Sequence, residues 1–264
     1  MKKPTYKKQF SSSILLWIRK DKDRQDRMDY WKGPHSKIIS ANPGQVEYRQ
    51  IHLAEKNVGL WPSTRGIETK IPANRKVDGV AEVTFKNMLA PIFQGKEQTK
   101  LAFKDEINVF ERTILYIGLP GWSRWYTLAP ATSKSKARSI IFIRRKNGVS
   151  SSQFRRIINN KLAIAVAETD GVQELRTQVF TPWQRSLWNS PDVKHDNPKD
   201  AQFHTSLIVA FGSEQEKTAF FSSEALRELS VELAGYVSAI HAYDATEALT
   251  FVKDGKQLPK AKEL

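Results

Sequence analysis

Cysteine is missing from all 264 residues, which excludes a disulfide framework, a thiolate metal site and a cysteine nucleophile. Long apolar runs are missing too. The basic start MKKPTYKKQF is followed by a short apolar stretch at residues 14–18, too brief for a secretory h-region, and no segment approaches the roughly 18 apolar residues of a spanning helix. The sequence has no P-loop, dinucleotide fingerprint, Gly-x-Ser-x-Gly elbow or His-Glu-x-x-His helix, which argues against a cofactor-dependent nucleotide enzyme. These absences together lead to the expectation of a soluble cytoplasmic protein.

Negative charge is scarce: 28 Asp and Glu stand against 42 Lys and Arg, a formal net charge of +14. Such a balance attracts polyanions. The basic residues are nevertheless scattered over both termini, the first helix and the loops, with Asp and Glu interspersed, so neither a specific nucleic-acid partner nor a membrane partner is expected. A hydrophobic content of 40% is enough for a real core in one large domain or two ordinary ones.

A search for self-similarity finds SILLWIRK from Ser13 and SIIFIRRK from Ser139, each opening one half of the chain. Each is followed by a helical segment, marked by Met28, Trp31 and Ile38 in the first half and by Phe154, Ile157, Ile158 and Leu162 in the second. A glycine-led strand comes next, GQVEYRQIHL from Gly44 and GVQELRTQVF from Gly171, in which Glu47 and Arg49 fall on Glu174 and Arg176. The Glu-x-Arg pair serves the alignment; its chemical reading is a charge pair on a strand face. Another strand follows in each half, GVAEVTFKN from Gly79 and FHTSLIVAFGS from Phe203, then an amphipathic helix and a closing strand. The order in both halves is βαββαβ. The expected units are 10–120 and 138–256, joined by a linker at 121–137 in which Trp122, Trp125 and Tyr126 imply partial packing.

A βαββαβ unit covers one face of its sheet with helices and leaves the other needing a partner. Two tandem ferredoxin-like units can pack sheet to sheet, and the space between the sheets is the expected ligand cavity. The segment RMDYWKGPHSKII, the strand EYRQIHL and the strand VDGVAEVTFKN resemble the EthD-like family of the dimeric α+β barrel superfamily. The resemblance covers residues 13–117. The second half departs from it, with Ile157 and Ile158 in place of Tyr-Trp and no His near Leu162. The resemblance implies an intramolecular dimeric α+β barrel with one functional pocket, belonging to the first half.

His35 follows Gly33 and Pro34, a pair that should interrupt the first helix. A histidine at such a break can reach the barrel mouth, where imidazole suits general acid or base work; packing at the helix end is the plainer alternative. Strand alternation puts Tyr48, Gln50 and His52 on one face and Glu47, Arg49 and Ile51 on the other. The first set is expected to line the barrel. Val80, Glu82 and Thr84 are also expected to face the cavity, where burial would raise the Glu82 pKa. His204 and Ser206 of the second half fall on the comparable face. The long loops 54–77 and 181–202, carrying Trp61, Trp183 and Trp188, are expected to serve as lids or to tie the halves together. His195 and Asp196 are adjacent in sequence, point apart on an extended chain, and are left out of the site.

The resemblance implies a cofactor-independent enzyme of lyase, dehydratase, decarboxylase or cyclase type acting on an aromatic or polyketide-like compound. His35, His52 and Glu82 would be its acid–base groups, and Trp31, Tyr48, Gln50, Trp61 and His204 its substrate contacts; neither a metal nor another cofactor is expected. One alternative is haem binding through His35 or His52, since other branches of the superfold hold haem. Another is a non-catalytic binding module, including an RNA binder, although the aromatic signature of RNA-recognition strands is missing. Whether two chains pair as a homodimer is left open.

Overall fold

The computed structural model describes residues 4–90, 95–128 and 135–264. Its first half contains β1 (Tyr6–Ile18), helix α1 (24–40), β2 (Gln45–Leu53), β3 (Gly79–Phe85), α2 (Lys96–Glu106) and β4 (Phe110–Tyr126). The second contains β5 (Ala137–Arg145), helix α3 (151–167), β6 (Val172–Phe180), β7 (Thr205–Phe211), α4 (Glu214–Ser222), α5 (Glu224–Leu233), β8 (Val237–Lys253) and β9 (Lys256–Glu263). Local chemistry fixes the element ends. Asp23 caps α1 by accepting from the Gln25 and Asp26 amides, and Ser150 with Gln153 forms a capping box on α3. Gly44 and Gly171, which lead the two matching strands, both turn with φ near +85° (86° and 84°), a conformation that favours glycine.

The strand order is β2-β3-β1-β4 in the first half and β6-β7-β5-β8 in the second. β4 pairs with β6 and β8 pairs with β2, all antiparallel, so the two sheets close into an eight-stranded barrel with β9 added outside β8. The tandem α+β barrel expected from the repeat is therefore present, with the helices on the outside. The described part of the expected linker is smaller than 121–137. Residues 121–126 are strand, because the basic N-terminal extension of β1 offers them a partner: Tyr6 pairs with Tyr126 and Lys7 with Trp125. The first strands of the two halves begin at Tyr6 and Ala137, and residues 129–134 lie outside the described residues.

Pro34 does not break the first helix. It is absorbed in a π turn, Trp31–His35, and the Ser36 hydroxyl donates to the Lys32 carbonyl at 2.7 Å and the Gly33 carbonyl at 2.8 Å, within the turn where proline supplies no amide donor. A second π turn, Ile158–Leu162, lies at the matching place in α3. It pairs Trp31 with Ile158 and His35 with Leu162 at one constant spacing along the chain, the same spacing that relates Glu47 to Glu174 and Arg49 to Arg176.

The barrel interior is filled. Leu15, Ile51, Val80 and Ile114 of the first half meet Ile140, Phe142, Ile208 and Tyr243 of the second. Beside this apolar plug lies a band of buried charge. Arg49 donates to Glu174 at 2.6 and 3.1 Å, and in the mirror-image contact Arg176 bonds Glu47. Glu82 joins both, 3.4 Å from Arg49 and 2.8 Å from Arg176, while Arg138 reaches Glu174 at 2.8 Å. The Glu-x-Arg repeat is thus the seam between the halves, with each carboxylate paired to the other half's guanidinium.

This filling corrects two expectations. The cavity is not between the sheets, because that space holds side chains. Tyr48, Gln50 and His52 do not line the barrel interior: antiparallel pairing sets Arg49 opposite Glu82 and Gln50 opposite Ala81, so the Tyr48 set shares the helix-facing side with Ala81 and Val83. Strand alternation separates the two sets without saying which points inward, and here the charged set does.

Candidate functional site

The site lies between the outer face of the first sheet and helices α1 and α2. Strand β1 contributes Ser12, Ile14 and Leu16, strand β3 Ala81 and Val83, and α1 Trp31, His35 and Ile39 to a cavity of about 500 Å³, a size suited to a small organic ligand. The second half closes it. Loop 181–202 sends Thr181, Gln184, Leu187 and Trp188 across to the cavity wall, with the Trp188 ring edge-on to Phe103 at 4.7 Å. Loop 54–77 makes the reciprocal crossing: Trp61 is buried in the second half's core and donates to the Ser230 hydroxyl at 2.8 Å. In the second half, Ile158, Leu162, Leu233 and Trp61 pack together as core at the positions of Trp31, His35, Glu106 and Trp188.

His35 is held from behind. Its Nδ1 is 2.8 Å from Asp105 Oδ2, and Asp105 also accepts from the Tyr30 hydroxyl at 2.8 Å and the Asn108 amide at 3.0 Å. Burial pushes the Asp105 carboxyl up, but the hydrogen bonds from His35, Asn108 and Tyr30 outweigh it and hold the group below its ordinary value. In a neutral imidazole, an ionised acceptor places the proton on Nδ1 and the lone pair on Nε2. Among the described residues Nε2 has no hydrogen-bond partner, and Phe110 packs edge-on against the ring at 5.4 Å. The imidazole lines the largely apolar cavity.

Glu106, next to Asp105 on α2, is a carboxyl that lines the cavity. Burial pushes it up, against the pull of Ser190, His35 and Trp188. It accepts from Trp188 Nε1 at 2.9 Å, Thr113 Oγ1 at 3.2 Å and the Ser190 hydroxyl, so it also fastens the second half's loop over the first half's cavity.

The remaining expected site residues are dispersed. Trp31 and Tyr48 line the cavity. Gln50 stands behind them, donating to the Trp31 carbonyl at 3.0 Å and the Tyr48 hydroxyl at 2.7 Å. His52 is stacked beneath Trp31 at 4.5 Å and held by Gln50 and Glu247. Glu82 is inside the barrel, where burial pushes its carboxyl up against the pull of Arg176 and Arg49. Trp61 packs in the second half's core, and His204 belongs to that half, its Nδ1 accepting from the Arg145 amide. Asp105, Glu106 and Trp188 were not picked out as site residues. Trp188 was visible as a lid residue, but adjacent acids on a helix give no sequence signal of facing a particular histidine.

Three histidines make the fold sensitive to acid. Burial first, then Lys32 and Arg24, push His52 down to about 3; burial and Arg145 push His204 down to about 4. His241 is brought to about 4 by burial, against the opposing effect of Glu68. Each folded value lies below the unfolded value near 6.5, so each stabilising contribution is complete above roughly pH 6.5 and is lost as the pH falls toward the folded value. The unfolding free energy is expected to fall by about 1 kcal/mol per pH unit for each histidine over that window. Urea midpoints measured at neutral pH and near pH 4 test this, and equal midpoints would contradict it.

Gly79 supports the cavity wall by its lack of a side chain. A Cβ there would lie 2.3 Å from the buried Trp31 ring and 3.1 Å from the Ile51 carbonyl. Gly79→Ala is expected to cost about 1–3 kcal/mol through overpacking and to push Trp31 into the cavity. Denaturant midpoints and the affinity for an apolar fluorescent probe would both fall; unchanged probe binding would show that Trp31 had not moved.

Among the described residues no group of three or more His, Cys, Asp or Glu could hold a metal ion, and no helix is long and apolar enough to cross a membrane. Haem fits the cavity poorly. His35 offers a suitable nitrogen, but the described lining contains no Lys or Arg to meet the propionates and places Glu106 there instead.

No known protein-family model matches the chain, and no curated protein is significantly similar in sequence. Solved structures are similar in fold. A candidate monooxygenase of Lactobacillus acidophilus NCFM superposes with TM-score 0.52 and 10% identity, covering 100% of both chains. An anthrone oxidase-like protein gives 0.55 and 8%, covering 96% of this chain and 95% of its own. A candidate monooxygenase of Fusobacterium nucleatum subsp. nucleatum gives 0.54 and 9%, covering 98% and 99%. The fold they share with this chain is the dimeric α+β barrel, realised here within one chain.

Proposed function

We propose that this chain is a cofactor-independent enzyme in which His35 moves a proton on a largely apolar aromatic or polyketide-like compound held in the first-half cavity. The observation that carries the proposal is the His35–Asp105 pair, whose imidazole lines a largely apolar cavity. A carbon acid or phenol placed there would give its proton to Nε2. The electron pair left behind would spread into the ligand's ring or carbonyl system, while Asp105 would stabilise the imidazolium. Apolar walls and the Trp188 lid would exclude water, which strengthens that charge interaction. Elimination, decarboxylation or cyclisation could follow from the anion. The reading gains from the fold neighbours, two of them candidate monooxygenases and one anthrone oxidase-like, and anthrone-type carbon acids head the list of compounds to test. We read the chain as a tandem EthD-like protein working in the cytoplasm on a small organic partner.

The acid–base group is reassigned. His52 and Glu82 take part in packing and in the barrel seam, so we assign His35 as the base, with Glu106 as the cavity's carboxyl. The proposal is tested by screening polycyclic phenols, anthrones and β-keto aromatics for turnover, then comparing wild type with His35→Ala on any compound consumed. Turnover that survives the substitution would refute it.

A further inference from the structure

Eight of the 42 Lys and Arg that look scattered along the chain meet at one end of the barrel. The turn after β1, the start of β4 and both long loops border a cleft of about 1020 Å³, lined by eight Lys and Arg but only four carboxylates. Most of the carboxylates are already engaged. Asp78 pairs with Arg24 at 3.0 Å, Asp196 with Arg112 at 3.3 Å, and Glu111 with Lys20 at 3.9 Å. Lys22, Lys56, Lys76 and Lys194 border the same cleft with no ion pair among the described residues.

A buried charge adds to this surplus. Arg75, between the cleft residues Asn74 and Lys76, is only 1% exposed, and no carboxylate pairs with it among the described residues. Its Nη2 donates to Asn197 at 3.1 Å, whereas Nε and Nη1 have no partner. Buried guanidinium groups normally have their donors satisfied and their charge paired. Among the described residues this end of the barrel therefore holds more positive charge than its four carboxylates balance.

We propose that this cleft binds the polyphosphate group of a small phosphate ester. Ammonium groups on flexible stems suit phosphate oxygens, and the cleft is larger than a single inorganic ion requires. Its carboxylates interrupt the basic lining, and two loops and a turn enclose it, unlike a groove that follows a nucleic-acid backbone. The site is separate from the His35 cavity, and the proposal does not depend on the activity assigned there.

The test is calorimetric titration of the full chain, at physiological ionic strength, with inorganic tripolyphosphate and with a nucleoside triphosphate. Saturable binding at one site is expected, weakened at least about tenfold in Lys56→Glu/Lys194→Glu. Both lysines are exposed, so an unchanged urea midpoint should accompany the loss, and Lys22→Glu on a different turn should weaken binding in the same direction. No saturable binding, or binding indifferent to all three lysines, would overturn the proposal. So would single-stranded oligonucleotide binding at the same lysines that tripolyphosphate does not displace, since that would assign the cleft to nucleic acid.

Discussion

Arg176→Met is expected to lower the unfolding free energy by about 3–5 kcal/mol, the usual cost of removing one partner from a buried ion pair. Arg176 contacts three carboxylates inside the barrel: Glu47, Glu82 at 2.8 Å and Glu174 at 2.7 Å. Its guanidinium also lies over Trp125 at 3.8 Å. Methionine would fill much of the space but leave Glu82, which is fully buried, with Arg49 as its one remaining cationic contact, at 3.4 Å. The loss thus comes mainly from stranding negative charge rather than from a hole. Adding Glu47→Gln to Arg176→Met should restore part of the stability, because one stranded carboxylate becomes neutral. Urea denaturation of the two variants measures both effects. A single-variant loss below about 1 kcal/mol would mean that water reaches the seam and screens it.

His35→Ala is expected to reduce turnover by about 10²–10⁴-fold, the usual contribution of a positioned general base, with little change in ligand affinity. Affinity is expected to rest on the apolar walls, whereas His35 supplies the lone pair held at Nε2 by the Asp105 contact. Asp105→Asn should give an intermediate loss: the amide can present its NH₂ to Nδ1, favouring the wrong tautomer while preserving the packing. Single-turnover rates together with probe binding separate the chemical effect from a binding defect. If Asp105→Asn matches wild type while His35→Ala is inactive, the orienting role of Asp105 is wrong and the base assignment stands.

The repeat was legible because backbone architecture is written in short apolar strands and helical spacings, and both halves carry them. The Glu-x-Arg match was visible too, although its meaning was not: a pair of charges on a strand reads as a solvent face, and only barrel closure turns that face inward. The same ambiguity misplaced Tyr48, Gln50 and His52. Polar and apolar residues occur on both sides of β2, so polarity could not say which side faced the helices. His35 and Trp31 stood out through a local motif. Asp105, Glu106 and Trp188 enter the site only through tertiary contacts, from α2 and from a loop of the other half. Charge was the least legible property, since lysines far apart in sequence meet at the barrel end only because β1, β4 and two long loops finish there.

The crossed loops bear on how the two halves share their tasks. A protein that pairs two identical subunits must use one surface both to hold a ligand and to brace its twin, and any change made for one purpose is imposed on the other. Here Trp61 braces one half and Trp188 covers the cavity of its neighbour, and the two residues are free to change independently. The half with Leu162 in place of His35 is packed as core at that position, so a change confined to the other half alters the cavity without disturbing that packing.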